Sequence, residues 1–327
     1  MSKAVVVHHK PSMKSALLRG GFIIMALYIA LYVVYVVQQP RALGAGAITS
    51  LINNTVPLAL ASAGQAIVVL SRGFDLSLAG VVSITNVVMA VYPLEGPGGA
   101  LASLVICLAI GGVVGAVNGW LVAYLRIQAI AATLATMIVC QGVALLILDA
   151  PGGAVAEWVS YELTDRIFNF IPVSGLILGS VVCLWLLARR TDFGVALYAI
   201  GADEHAARLS GIPVLKVRFF AFVIAGMIYG LAGYMLSAQT ATGSPTAGEP
   251  LLMLSFAAVA LGGTSLSGGK GGLFASVMGA ATLMLLQKVL FSSGVSSFYT
   301  GIFQGAVLIL AVMFSALLTS LGERKSK

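Results

Sequence analysis

Residues 193–218 read FGVALYAIGADEHAARLSGIPVLKVR, from Phe193 to Arg218. In an otherwise apolar chain this stretch holds Asp203, Glu204, His205, Arg208, Lys216 and Arg218, and Arg189 and Arg190 precede it. Long uncharged runs lie on both sides. A charged helix-plus-turn between such runs marks a point where a membrane-embedded chain emerges and can be gripped from outside the bilayer.

The composition supports that setting. The chain has 327 residues, 59% hydrophobic and 9% charged, with a mean hydropathy of +1.03. A soluble domain carries about 25% charged residues, so this one has too few to cover its surface. Near-uncharged runs of roughly 20 residues make the spans helical and not strands of a barrel. The 38 glycines suit closely packed membrane helices. A net charge of +7 raises nucleic acid as a partner, but positive charge held on one side of a membrane accounts for it, and no nucleic acid is expected. Cys107, Cys140 and Cys183 all lie inside apolar runs, as packing residues do. The first apolar run, Leu17 to Val37, is about 21 residues, longer than a signal sequence core, so it reads as an uncleaved helix.

Ten spans are predicted, at roughly 17–37, 47–70, 76–92, 100–124, 128–148, 170–188, 217–238, 251–262, 273–291 and 298–318. The eighth is too short to cross a hydrocarbon core of about 30 Å at about 1.5 Å per residue. The expected fold is therefore all-α and integral to the membrane, one domain over 1–327, with interrupted segments. Tails at 1–16 and 319–327 and a loop at 193–216 are expected in the cytoplasm. With both termini there, the inner side holds Lys3, Lys10, Lys14, Arg19, Arg126, Arg189, Arg190, Arg208, Lys216, Arg218, Arg324, Lys325 and Lys327, thirteen of the 18 basic residues. The outer loops carry Glu95, Asp149, Glu157, Glu162, Asp165 and Glu249 instead.

Two segments resemble each other. Val68 to Ala90 and Ala258 to Leu283 each run apolar, break at Gly, Ser and Thr residues, and run apolar again. Paired interrupted segments point to a transport pathway at a repeat interface. In the second break, Gly263 to Gly271 (GTSLSGGKG) fails the phosphate-loop pattern GxxxxGK[ST]: Thr264 stands where a glycine is needed and Gly271 where a Ser or Thr is needed. No ATP site of that type is encoded. In the first break, Asp75 is placed to cap a helix starting at Leu76, with Arg72 as its ion-pair partner. Gly111, Gly115 and Gly119, with Gly226 and Gly230, fall at four-residue spacing and read as helix-packing surfaces. Candidate pathway residues are Asn54, Gln65, Asp75, Ser77, Asn118, Gln141, Thr264 and Ser265. Their amides, hydroxyls and single carboxylate suit a neutral polyhydroxy ligand, although interhelical hydrogen bonding suits them as well. His8, His9 and His205 have no metal-binding company, and no metal or catalytic site is expected.

His205-Ala206-Ala207-Arg208-Leu209-Ser210-Gly211 resembles the EAA loop of ABC importer permeases, E-A-A-x-x-x-G, with His205 in place of Glu and Glu204 just before it. Arg189 to Gly194, Ala196 to Gly201, Gly73 to Ser77, Asn118-Gly119, Ala132 to Thr136, Leu261 to Gly269 and Gly294 to Phe298 are similar to ribose/xylose-type sugar permeases. Arg72 replaces a glycine of that pattern, and Gln128-Ala129 stands where relatives often have two prolines. The ordered matches run from about residue 50 to 318. The resemblance implies a ten-helix, vitamin-B12-importer-like (type II) permease acting as a dimer with a second copy or paralogue. It implies a cytoplasmic ABC ATPase, which would hold the ATP and Mg, and a periplasmic sugar-binding protein. It also implies that Glu204, His205, Ala206, Ala207, Arg208, Leu209, Ser210 and Gly211 form the ATPase-coupling helix. A permease of the same fold for nucleosides or branched-chain amino acids, or an autonomous secondary transporter, are the alternatives.

Overall fold

A computed structural model describes residues 20–295, together with Tyr299, Gly301, Ile302, Gly305, Ala306 and Ile309. Apart from those six, the expected tenth span at 298–318 lies outside the described residues, as do both tails. The elements are helices α1 (Gly20–Gln38), α2 (Ala45–Leu70), α3 (Leu78–Val91), α4 (Gly96–Gly119), α5 (Ala129–Ile147), α6 (Glu157–Glu162), α7 (Val173–Ala188), α8 (Asp192–Ala202), α9 (Glu204–Leu209), α10 (Val214–Thr240), α11 (Glu249–Leu261) and α12 (Leu273–Ser292). A 3-10 turn (Pro40–Leu43) precedes α2, a π turn (Trp120–Tyr124) extends α4, and strands β1 (Arg166–Ile167) and β2 (Ile171–Pro172) pair antiparallel.

Among the described residues, five helices are long and apolar enough to cross a membrane: α2, α4 with its π turn, α5, α10 and α12. A sixth span is added if α7 and α8, bent by 79° at Arg189–Thr191, are counted as one. The chain is a multi-pass membrane protein. The short eighth segment is confirmed: α11 ends at Leu261 after 13 residues. The third is shorter than expected as well, because the break consumes residues 71–77 and leaves α3 with 14.

The helices sort by burial. α2 is the central post, 83% buried over its apolar window, and it is flanked by α10, α11, α12 and α7. α4 and α5 are 28% and 22% buried, and their exposed Leu, Ile and Val residues turn outward. Such faces suit acyl chains and not water.

The glycine spacing read from the sequence finds its partner. A Cβ on Gly111 would lie 2.0 Å from the Gly226 carbonyl oxygen, and one on Gly226 would lie 2.1 Å from that of Gly111. Gly115 would meet the Phe222 oxygen at 2.3 Å and Gly230 the Cys107 oxygen at 2.1 Å. The two helices therefore touch backbone to backbone, which only residues without side chains allow.

Residues 193–218 are not a single polar loop. Their first half is α8, whose Gly194, Ala196, Leu197, Ile200 and Gly201 are buried. The apolar run FGVALYAIG outweighs the charges that follow it, so this half packs and only the second half projects.

Candidate functional site

The projecting half is α9. Asp203 caps its N-terminus: Oδ1 accepts hydrogen bonds from the His205 and Ala206 amides at 2.9 and 3.0 Å. The Ala206 amide and then that of His205 hold the Asp203 carboxyl below its ordinary range. At the other end the Ile212 amide bonds to the Ala207 carbonyl and Gly211 to that of Arg208. This closure needs a left-handed residue after the helix, and Gly211 supplies it at φ +82°. Glu204 accepts from Arg208 and, at 2.7 Å, from Arg218. Partial burial pushes its carboxyl up, and Arg218 and Arg208 overcome that to hold it below its ordinary range. The exposed face carries His205, Ala206, Leu209 and Ser210, with Leu209 78% exposed. Ala207 faces inward and belongs to the chain's own core. His205 has an exposed side chain, and nothing in the structure explains its replacing glutamate.

Directly behind α9, three segments meet. Arg72 does not pair with Asp75 as the sequence suggested. Its backbone is left-handed, at φ +63°, and the turn sends its guanidinium to the end of α8. Nε donates to the Gly201 carbonyl at 2.8 Å and Nη2 to that of Ala202 at 2.7 Å. These carbonyls are the unsatisfied acceptors of a helix C-terminus, where a cation is stabilising. The Gly269 amide in turn donates to the Leu70 carbonyl at 3.1 Å. The two helix breaks, 71–77 and 262–272, thus touch each other and α8 at one point.

Asp75 is a turn residue and not the cap of a helix at Leu76. The helix starts at Leu78, and Asp75 Oδ1 accepts from the Ser77 amide at 2.9 Å and its hydroxyl at 2.6 Å. Asn118 donates to Ser77 Oγ at 2.8 Å, and Thr136 donates to Asn118 Oδ1 at 2.8 Å. Asp75, Ser77 and Asn118 are therefore one buried network bridging the break to α4 and α5. Asp75 Oδ2 and Gln65 Nε2 are buried without partners among the described residues, while Gln65 Oε1 accepts from Tyr229 at 3.0 Å.

The other predicted pathway residues stand apart. Gln141 donates to Glu249 at 3.0 Å. Thr264 bonds to Gly272 of its own break and to Ser276 on the first turn of α12, and the Ser265 amide bonds to the Lys270 carbonyl. Asn54 lies at the opposite end of α2, in a polar cavity of about 470 Å³ that it shares with Thr49, Ser50, Asn53, Thr164 and Gln239. Gln239 donates to Asn54, and Asn53 donates to the Thr164 carbonyl at 2.7 Å. The candidates therefore do not line one cavity. Gln239 carries the same signal as the other amides, a polar group on an apolar run, but it falls one residue past the predicted end of its span.

The family described as "Branched-chain amino acid transport system / permease component" matches residues 47–312. The chain belongs to that permease family. Relatives cover most of it. The ribose import permease protein RbsC of Escherichia coli (strain K12) is 34% identical over 81% of this chain and 84% of its own length. RbsC of Bacillus subtilis (strain 168) is 34% identical over 88% and 90%. The D-allose transport system permease protein AlsC of E. coli (strain K12) is 28% identical over 92% of both. No solved structure matches the chain. In this family frame, the two helix breaks and the projecting α9 are the parts of a permease that its geometry singles out.

Proposed function

We propose that the chain is the membrane permease of an ATP-driven ABC importer that moves a neutral monosaccharide or polyol across the inner membrane. The observation that carries this is the match over most of the chain to permeases named for ribose and D-allose, with one named for L-arabinose at 33% over 73% of the chain. The sugar arrives from a separate periplasmic binding protein. ATP and Mg belong to a cytoplasmic ATPase, and two permease copies or paralogues form the membrane unit. The full fold is the ten-span, vitamin-B12-importer-like one, with both termini cytoplasmic. Clustering of Arg72, Arg126, Arg208 and Arg218 at one end, with Glu95 bonding the Glu157 amide at the other, supports that orientation.

In this reading α9 seats its exposed face, with Leu209 foremost, in a cleft of the ATPase. Glu204 and Asp203 hold the helix in shape. Closure of the ATPase displaces α9 and, through α8, the point where both helix breaks meet. A shift there reorients α3 and α12 about their breaks, which is a hinge motion. The buried polar network at Asp75 and the cavity around Asn54, which Asp165 and Arg166 also line, supply donors and acceptors along the route.

The test is uptake of labelled ribose, D-allose and L-arabinose by cells expressing the chain with a family ATPase and binding protein. Uptake of one sugar that needs all three proteins is expected. Gly211→Asp should abolish it while membrane insertion stays normal. Uptake by the chain alone would mean an autonomous transporter, and wild-type uptake by the Gly211 variant would remove the coupling role.

A further inference from the structure

At the end of the molecule that carries α9, four arginines converge on one cleft. It has a volume of about 340 Å³ and is lined by Arg72, Arg126, Arg208 and Arg218 with Glu204 as the one carboxylate. Arg208 and Arg218 share Glu204, and Arg72 is committed to the carbonyls of α8. Asp203, beside them, spends Oδ1 on the amides of α9. Arg126 makes no side-chain hydrogen bond or ion pair among the described residues. Four guanidiniums against one carboxylate leave the cleft strongly cationic.

The backbone is bent to bring Arg126 there. The π turn at Trp120–Tyr124 ends α4, and Arg126 itself is left-handed, at φ +59°. A π turn and a strained non-glycine residue in succession are costly and mark sites that need them.

The rest of the cleft is apolar: Val122, Ala123, Ile127 and Leu215 form its wall. The outer side of that wall is open, with Trp120 51%, Tyr124 45%, Leu125 49% and Ile127 40% exposed. On a membrane helix, Trp and Tyr followed within a turn or two by Arg mark the headgroup level. The cleft therefore offers cations for a phosphate and, contiguous with them, an apolar face at acyl-chain depth.

We propose that this cleft binds the phosphodiester headgroup of an anionic phospholipid. Arg126 is its free donor, and the acyl chains lie along the α4–α5 face. A soluble anion would gain the charge but not the apolar wall. An acidic surface of the ATPase would meet α9 from the aqueous side and leave that wall uncovered. The lipid would buttress the root of α9, so the inference goes beyond sugar transport and does not depend on it.

The experiment is native mass spectrometry of the full chain, purified in neutral detergent with equal phosphatidylglycerol and phosphatidylcholine of matched chains. The wild type should retain phosphatidylglycerol preferentially. Arg126→Gln should lower that preference about fivefold, the effect of one basic residue at a membrane surface. Arg126→Lys should keep most of it. Arg126→Gly relieves the left-handed strain, so its loss of preference cannot be ascribed to misfolding. Equal retention of the two lipids by the wild type overturns the proposal. So does retention unchanged in the Gln and Gly variants, including the case in which those variants weaken ATPase binding alone. Binding of inorganic phosphate that depends on Arg126, without preference for phosphatidylglycerol, overturns it in favour of a soluble anion.

Discussion

Gly201 sits where α8, the end of α2 and the second break touch, and replacing it with alanine tests whether that contact is as tight as the geometry says. The added Cβ would lie 1.9 Å from the Leu70 carbonyl oxygen, 2.3 Å from the Gly269 nitrogen and 2.8 Å from its Cα. All three are backbone atoms, so no rotamer change relieves the clash. The methyl must force the 262–272 break away or tilt α8. Overpacking of this kind costs about 1–3 kcal/mol. Separation also breaks the bond from the Gly269 amide to the Leu70 carbonyl, worth about 1 kcal/mol. Alanine's better helix propensity returns about 0.5–1 kcal/mol. The net is a loss of about 1–3.5 kcal/mol, or roughly 2–5 °C in melting temperature for a chain of this length. The assay is thermal unfolding of the purified chain, with Gly142→Ala as the control, since a Cβ there meets nothing within 4 Å. Reconstituted with a family ATPase and binding protein, the Gly201 variant of the proposed importer should also hydrolyse more ATP per sugar moved. A melting temperature equal to wild type would refute the three-way contact and the route by which α9 reaches both breaks.

Arg72→Ala loses both bonds to the end of α8 and keeps a left-handed backbone, whereas Arg72→Gly loses the bonds and relieves the strain. The alanine variant should be less stable by about 1 kcal/mol, and equal melts would contradict the φ of +63°. Asn118→Ala leaves the buried Ser77 hydroxyl short of a donor, while Thr136 keeps its bond to the Thr133 carbonyl, and should cost about 1 kcal/mol, read by the same melts. The Glu204 carboxyl titrates below its ordinary 4.5, so its contribution to α9 is complete above that pH and is lost as the pH falls through the lower folded value. Protection of the α9 amides, taken relative to the intrinsic exchange rate at each pH, should fall in that acidic window, and Glu204→Gln should flatten the part of the dependence that Glu204 contributes.

Much of this was legible in the sequence, for a physical reason in each case. Hydropathy located the helices because the bilayer demands uncharged runs, and the ends of α2 and α12 fall within two residues of those expected. The four-residue glycine spacing marked the two faces that meet in the α4–α10 contact, because close backbone approach leaves no other choice of residue. Both breaks were visible as Gly, Ser and Thr between apolar runs. What failed was pairing. Arg72 and Asp75 are neighbours in sequence, and the left-handed turn that separates their side chains has no signature at an arginine. Gln141 and Glu249 meet across 108 residues, a separation that spacing cannot bridge. The amides announced themselves as polar groups in apolar helices, but which of them face a cavity depends on helix rotation. Charge also misled: the acids and bases after Asp203 coloured the reading of α8, which is buried.

The seam between α4 and α10 carries a consequence for genetics. Most tight contacts can be repaired from the far side, since a bulky replacement on one helix is accommodated by trimming the residue it strikes. Here the atoms struck are the Gly226, Phe222, Gly111 and Cys107 carbonyls, which no mutation can make smaller. A selection for revertants of a Gly226 substitution should therefore return the original codon, or changes elsewhere that tolerate a loosened seam, and none at the facing glycine.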